Sequence, residues 1–93
     1  MITAIVLIDT EAARIPEVAQ QAAELDGVSE VYSVTGDVDL IAMVRVSEQD
    51  QLAAVIADQL SKISGVRSTR TYLAFQSYSQ HDLEAAFALG LGD

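Results

Sequence analysis

The sequence predicts an α+β domain made of two β-α-β units, and two observations support this prediction. Short runs of β-branched residues alternate with segments whose apolar residues follow helical spacing. A Gly-Val pair follows each predicted helix, at residues 27–28 and 65–66, so the chain repeats itself weakly. Two such halves give a ferredoxin-like βαββαβ sandwich with an antiparallel sheet, strand order 4-1-3-2, and both helices on one face.

The first half contains one strand and one helix. Strand 1 is predicted at residues 2–8, and the polar residues 9–11 are expected to end it. Helix 1 is predicted over about residues 15–25, because Pro16 suits a first turn and Gly27 suits a C-terminal stop.

A hairpin joins the two halves. Strand 2 is predicted at residues 28–35 and strand 3 at residues 38–46. The two residues between them, Gly36 and Asp37, form a Gly-X pair that favours a two-residue type II′ turn.

The second half contains helix 2 and strand 4. Ser47 and Asp50 resemble a capping box at the start of the helix. Its predicted buried stripe consists of Leu52, Val55, Ile56, Leu60 and Ile63. Gly65 ends the helix, and strand 4 follows at residues 66–75. Residues 1–78 are therefore predicted to form one domain, and residues 79–93 a C-terminal helical tail with helical spacing at 82–89.

Composition argues against several classes of function. Fourteen acidic and five basic residues give a formal net charge of −9, which nucleic acids and anionic membranes repel. The absence of cysteine excludes disulfides, thiolate metal sites and cysteine nucleophiles. No apolar run approaches the roughly 20 residues of a membrane span, and no signal peptide is recognisable, so a cytoplasmic location is expected.

Catalytic patterns are weak. The one histidine, His81, falls in the predicted tail, and no Ser-His-Asp arrangement, phosphate-binding loop or metal-ligand spacing is recognisable. Asp37 and Asp39 lie two apart on a hairpin, which is weak evidence for metal binding or acid–base catalysis. We therefore expect a protein that is not an enzyme and that has no cofactor.

The central strands predict an oligomer. Strand 1 is apolar on both faces, since Ile5 and Leu7 alternate with the core-facing residues, and Ile41 and Met43 do the same in strand 3. Two helices cover only one face of a sheet, so the other apolar face needs a partner. A second copy related by a twofold axis is the expected cover, and the alternative is the C-terminal tail.

The segment VYSVTGDVDL, residues 31–40, carries a resemblance to a known family. Together with Gly27-Val28, Gly65-Val66 and the Thr69-Arg70-Thr71 element, it makes residues 2–78 similar to the ligand-binding (RAM) domain of the Lrp/AsnC regulators. The chain looks like the stand-alone members, because the helix-turn-helix that precedes this domain in the family is not part of the sequence.

This resemblance implies both an assembly and a ligand. It implies a dimer of the dimeric αβ-barrel type, formed through the sheets, and rings that commonly contain four dimers. Effectors, usually amino acids, are implied to bind between dimers near the turn from strand 2 to strand 3. Full-length Lrp/AsnC regulators are then possible partners, and transcription regulation is the implied process.

The chemistry of an amino acid selects candidate site residues. Gly36 allows close approach to backbone N–H groups, and Asp37 and Asp39 offer acceptors for an ammonium group. The full predicted set is Tyr32, Thr35, Gly36, Asp37, Asp39, Thr69 and Thr71. Most of these residues also have a plain alternative. Gly36 and Asp37 can serve only to form the turn, and Asp39 can protect an edge or pair with Arg45 or Arg70. The two threonines, Thr69 and Thr71, can be present for their strand propensity, and Tyr32 for packing.

Two other functions remain open at this point. One is a small enzyme of the dimeric α+β barrel type, such as a monooxygenase or a haem-binding relative, because a shared fold does not decide function. Such enzymes enclose a roomy pocket between helices and sheet, whereas aliphatic residues fill those positions here. The other is a purely structural assembly domain that binds no metabolite.

Overall fold

The fold is a single antiparallel sheet of four strands with helices on one side, seen in a computed structural model that describes residues 1–79. The sheet order is β2-β3-β1-β4. The strands are β1 (Ile2–Thr10), β2 (Val28–Ser33), β3 (Leu40–Val46) and β4 (Val66–Ala74). This order is the predicted 4-1-3-2 arrangement read from the other edge, so the fold prediction is confirmed. The predicted helix at 82–89 and His81 lie outside the described residues.

Two helical segments connect the strands. A 3-10 turn at Ala12–Arg14 leads into helix α1 (Ile15–Ala23), whose first turn holds Pro16 as predicted. Helix α2 (Gln49–Ala53) continues into a π-helical segment, Ala54–Gln59, and then a 3-10 turn, Leu60–Lys62.

Strand β1 is longer than the sequence analysis predicts. Asp9 and Thr10 do not end the strand but pair with Ser68 and Val66 of β4 across a local register shift. The side-chain hydroxyl of Ser68 donates a 2.9 Å hydrogen bond to the Asp9 carboxylate. These cross-strand partners outweigh the low strand propensity of aspartate.

The hairpin between β2 and β3 is wider than a two-residue type II′ turn, so that prediction is wrong. The backbone N–H of Val34 donates to the Asp39 carbonyl (3.1 Å), which leaves residues 35–38 as the loop. The N–H of Asp39 donates instead to the Ile8 carbonyl of β1 (3.1 Å), and Val38 is buried. These two constraints keep the chain from tightening around Gly36 and Asp37.

The start of α2 also differs from the prediction. The capping residue is Glu48, and its capping-box partner is Gln51 rather than Asp50. The side-chain carbonyl of Gln51 accepts hydrogen bonds from the backbone N–H groups of Ser47 (3.0 Å) and Glu48 (3.0 Å) and from the Ser47 hydroxyl (2.9 Å). A glutamine reaches the free N–H groups of a helix start that the shorter Asp50 does not contact.

The π-helical segment changes the predicted second helix without changing its buried stripe. Val55 and Leu60, five residues apart, are the buried side chains of this part of the chain. A spacing of five does not fit one face of an α-helix, but i→i+5 hydrogen bonding brings both side chains to the sheet. Leu52, Ile56 and Ile63 pack around them, as predicted.

The core lies between the sheet and the helices. Alternate residues of β1 and β3 meet Val18 and Ala22 of α1 and the buried pair Val55 and Leu60. The fully buried side chains include Ala4, Val6, Ile8, Leu40, Ala42 and Val44. The intervening residues of the same strands, among them Ile5, Leu7, Ile41 and Met43, face away from the helices and are partly exposed. We call this second side of the sheet the open face.

Candidate functional site

The loop at residues 35–38 is the centre of the predicted site. Gly36 has a φ of +121°, a conformation that side chains with a Cβ rarely adopt. A Cβ built at Gly36 would meet nothing within 4 Å. Gly36 therefore allows the backbone conformation of the loop. It also leaves open space beside the loop, through which a ligand can reach the peptide groups.

Asp39 anchors this loop to β1. Its Oδ2 accepts a 2.9 Å hydrogen bond from the backbone N–H of Thr10. Thr10 is only 5% exposed, so this bond satisfies a donor that has little access to water. The two arginines considered as partners of Asp39 pair with other residues. Arg45 pairs with Glu30 (2.9 Å), and Arg70 pairs with Asp37.

Asp37 and Arg70 bring opposite charges together at the loop. The distance from Arg70 Nη2 to Asp37 Oδ2 is 3.7 Å, and the two side chains are 50% and 89% exposed. An exposed ion pair of this length contributes about 0–1 kcal/mol, so solvent or a ligand can replace either partner at little cost. The site thus offers one cation and one anion that are close together and accessible.

Arg70 is the residue that the sequence analysis missed as a site residue. It lies in β4 opposite Leu7, and this register places it on the open face. Period-two alternation in the Thr69-Arg70-Thr71 element was the available signal, because it puts the arginine on the opposite side from both threonines.

Tyr32 belongs to the same row of the open face. The register gives a row across all four strands: Tyr32, Ile41, Leu7 and Arg70. Tyr32 is 52% exposed, so about half of its side chain is accessible to a ligand. The row ends at Tyr32 on the edge strand β2 and at Arg70 on the opposite edge strand β4, so the structure does not bring these two side chains together.

Thr69 and Thr71 lie on the other side of the sheet. Thr69 pairs with Ile8 and Thr71 with Val6, and both of these β1 residues face the helices. The Thr69 hydroxyl is 3.5 Å from the Ser61 hydroxyl of the 3-10 turn. Within one chain, therefore, the predicted residues do not form one site, because the sheet separates Tyr32 on the open face from the two threonines on the helix side.

Two surface grooves lie away from this loop. One of about 430 Å³ lies where β3 ends, and its wall includes Gln51, Val55 and Gln59 of the second helical segment. The other, of about 630 Å³, lies on the open face beside residues 75–78. The space between sheet and helices is filled by the aliphatic core, and the roomy internal pocket of the enzyme alternative is not seen among residues 1–79.

Within residues 1–79, no group of three or more histidine, cysteine, aspartate or glutamate side chains is arranged to hold a metal ion. The same residues include no helix that is long and apolar enough to cross a membrane.

Comparison with known proteins identifies the family. The family model of the Lrp/AsnC ligand binding domain matches residues 3–83. The crystal structure of TTHA0845 from Thermus thermophilus superposes with a TM-score of 0.82 and 42% sequence identity, over 86% of this chain and 100% of that one. The fold also matches the NMB0573/L-Met complex of Neisseria meningitidis, with a TM-score of 0.75 and 15% identity over 85% of this chain and 53% of that regulator.

The curated relatives are longer transcription regulators. PH1916 of Pyrococcus horikoshii, an uncharacterized HTH-type transcriptional regulator, is 41% identical over 59 residues, which are 63% of this chain and 39% of that protein. The chain spans about two fifths to one half of the length of such regulators. The predicted resemblance is confirmed: the chain belongs to the Lrp/AsnC ligand-binding domain family, whose members are regulatory, effector-binding modules of transcription regulators.

Proposed function

We propose that this chain is a regulatory module whose effector is a free amino acid, and that it catalyses no reaction. One observation carries the proposal: the exposed pair of Arg70 and Asp37 beside the open backbone at Gly36. An amino acid carries a carboxylate and an ammonium group on one carbon, and these two side chains offer a cation and an anion 3.7 Å apart.

The chemistry of the exchange is simple. The ligand carboxylate replaces the Asp37 carboxylate on Arg70, where a guanidinium group can donate two parallel hydrogen bonds. The ligand ammonium group then pairs with the released Asp37. Charge-assisted hydrogen bonds contribute about 1.5–3 kcal/mol each, more than the exposed internal pair that they replace.

The division of the predicted residues between two faces supports a site that is shared by two chains. A small ligand bound to one chain cannot contact Tyr32 and the two threonines together, because the sheet separates them. A ligand held between neighbouring dimers contacts the loop of one chain and Thr69 or Thr71 of another. We therefore place the site between dimers in a ring, at the rim of the open face where the loop meets Arg70 on the edge strand β4, while the rest of the open face forms each homodimer.

The class of ligand has support from one relative of the same fold. The Neisseria meningitidis regulator NMB0573 was crystallised as a complex with L-Met. At 15% identity this likeness concerns the fold, so it supports an amino acid as the chemical class and leaves the side chain of the effector open.

The partners follow from family and charge. With a formal net charge of −9, this domain is a poor ligand for DNA, whose phosphates need clustered cations. Its effect on transcription is then exerted through contact with full-length Lrp/AsnC regulators, a contact whose strength the effector changes by linkage.

A thermal-shift screen of the twenty amino acids, followed by calorimetry, tests this function. A ligand that binds the native state raises its stability, so the melting temperature rises as the effector concentration increases above Kd. Asp37→Ala is expected to weaken binding at least tenfold, whereas Asp50→Ala, which removes an exposed aspartate on α2, is expected to leave binding unchanged. If no amino acid binds at millimolar concentration, the domain serves assembly alone and the proposal is wrong.

A further inference from the structure

Four residues beyond β4 form an extension that we call the arm: Phe75, Gln76, Ser77 and Tyr78. Phe75 is 95% exposed and Tyr78 is 81% exposed, so the described part of the chain leaves both aromatic rings uncovered. The arm has no charged residue, although the chain as a whole is strongly acidic. Exposed aromatic side chains on an uncharged segment mark an interaction surface.

A groove of about 630 Å³ lies directly beside the arm on the open face. Its floor consists of Thr3, Ile5, Met43 and Arg45, and its wall is formed by Met1, Ala74 and the four residues of the arm. Ile5 and Met43 are cross-strand partners in the centre of the sheet. The groove therefore exposes the apolar middle of the open face.

The charges of the open face favour a second copy of this chain as the occupant. The paired strand residues of this face include two cations, Arg45 and Arg70, and two anions, Asp9 and Glu30. The formal charges of these residues therefore cancel. Elsewhere two copies with a formal net charge of −9 repel each other. Two open faces can approach without this repulsion.

The area of the open face indicates that the arm is needed. Four strands at about 4.8 Å spacing, with six to nine residues of about 3.3 Å each, give a face whose projected area is roughly 380–570 Å². A stable interface buries about 800 Å² on each partner. Phe75 and Tyr78 each add about 150–250 Å², and with them the contact reaches the size of a stable interface.

We propose that, in the homodimer, the arm of each copy lies in the groove of the other, with Phe75 and Tyr78 packed against Thr3, Ile5 and Met43 of its partner. Twofold symmetry requires this reciprocity, because a contact from arm to groove in one direction is repeated in the other. The inference rests on the homodimer proposed above and adds the segment that holds it together.

Cysteine cross-linking tests the exchange directly, because the chain has no cysteine of its own. Thr3→Cys in the groove and Ser77→Cys in the arm, which leaves Phe75 and Tyr78 in place, are made in separate full-length chains, mixed, and treated with a short bismaleimide. Intact mass spectrometry is expected to show the mixed dimer as the main product. Gln20→Cys, on the exposed side of α1, replaces Thr3→Cys in the control and is expected to give no mixed dimer.

Sedimentation measurements distinguish the contribution of the arm from the formation of the dimer itself. Phe75→Ala or Tyr78→Ala is expected to raise the dimer Kd about 100-fold, because each loss of about tenfold occurs twice in a symmetric interface. Leu73→Ala removes another exposed apolar side chain of β4 that faces the helix side, and it is expected to leave the Kd unchanged.

The outcomes are distinct. If the wild type is a dimer and no mixed cross-link forms, the exchange is wrong while the homodimer stands. If the wild type is a monomer, both the exchange and the proposed homodimer are wrong, and calorimetry still reports whether an effector binds.

Discussion

The Asp39 carboxylate accepts a 2.9 Å hydrogen bond from the backbone N–H of Thr10, and this bond ties the β2–β3 loop to the end of β1. The bond lies at the point where the β1–β4 register shifts, so β4 does not offer a regular ladder partner there. The N–H of Asp39 donates to Ile8 in the same strand, which fixes the loop at two points. One of the two predicted ammonium-binding aspartates thus has a structural partner, and the other, Asp37, has a weak and exposed one.

Asp39→Ala is expected to lower the free energy of unfolding by about 1–3 kcal/mol, since the buried Thr10 N–H would lose its acceptor. Asp39→Asn keeps a side-chain oxygen at this position and is expected to lose less than half as much. Asp37→Ala is expected to change stability by less than about 0.5 kcal/mol, as surface substitutions usually do. Urea unfolding at a fixed protein concentration measures all three; equal stability of Asp39→Ala and the wild type would contradict this role.

Gly36→Ala and Gly65→Ala are expected to differ in their cost. Both glycines have φ values, +121° and +105°, at which a Cβ is strained by about 1–2 kcal/mol. A Cβ at Gly36 meets open space, but one at Gly65 would lie 2.7 Å from Arg14 Cβ and 3.0 Å from Val18 Cγ2. Overpacking typically adds about 1–3 kcal/mol, so Gly65→Ala is expected to be the less stable variant in urea unfolding.

The strand order followed from the two β-α-β halves, and the core residues followed from apolar alternation, which decides which side chains face the helices. Ile8, Leu40 and Leu60 are fully buried, as their spacing predicts. The turn between β2 and β3 did not follow, because its width depends on the distant contacts of Asp39 with Ile8 and Thr10. Local turn chemistry at residues 36–37 contains no information about these contacts.

The predictions of the capping box and of a regular second α-helix were wrong for a similar reason. The capping box begins at Glu48 instead of Ser47, and its partner is Gln51, whose longer side chain reaches the N–H of Glu48, instead of Asp50. The π-helical segment allows Val55 and Leu60, five residues apart, to pack on the sheet together. A helical pattern with a fixed period of 3.6 residues does not predict such a segment. Of the site, Gly36 and Asp37 were found from the motif, and Arg70 needed the register of β4.

The isolated domain is expected not to shift duplex DNA at physiological salt. A protein binds DNA non-specifically by neutralising phosphates with clustered cations, and five basic residues among fourteen acidic ones do not supply such a cluster. An electrophoretic mobility assay at micromolar protein checks this expectation at two salt concentrations. A sub-micromolar shift that weakens steeply with salt would count against it.

Arg70→Ala is expected to weaken amino-acid binding more than any other single change at the loop. Arg70 supplies the cation for the ligand carboxylate, and a lost charge-assisted contact of about 1.5–3 kcal/mol corresponds to a rise in Kd of roughly 10- to 150-fold. Arg67→Ala is the matched control, because it removes an exposed arginine of the same strand that is not the one paired with Asp37. Arg70→Lys keeps the charge but loses the two-bond geometry, so its Kd is expected to fall between those of the wild type and Arg70→Ala.

Calorimetry with the amino acid that most raises the melting temperature measures all three variants, and circular dichroism verifies that each is folded. Equal Kd values for Arg70→Ala and Arg67→Ala would place the carboxylate elsewhere and remove the support that the Arg70–Asp37 pair gives to an amino-acid effector.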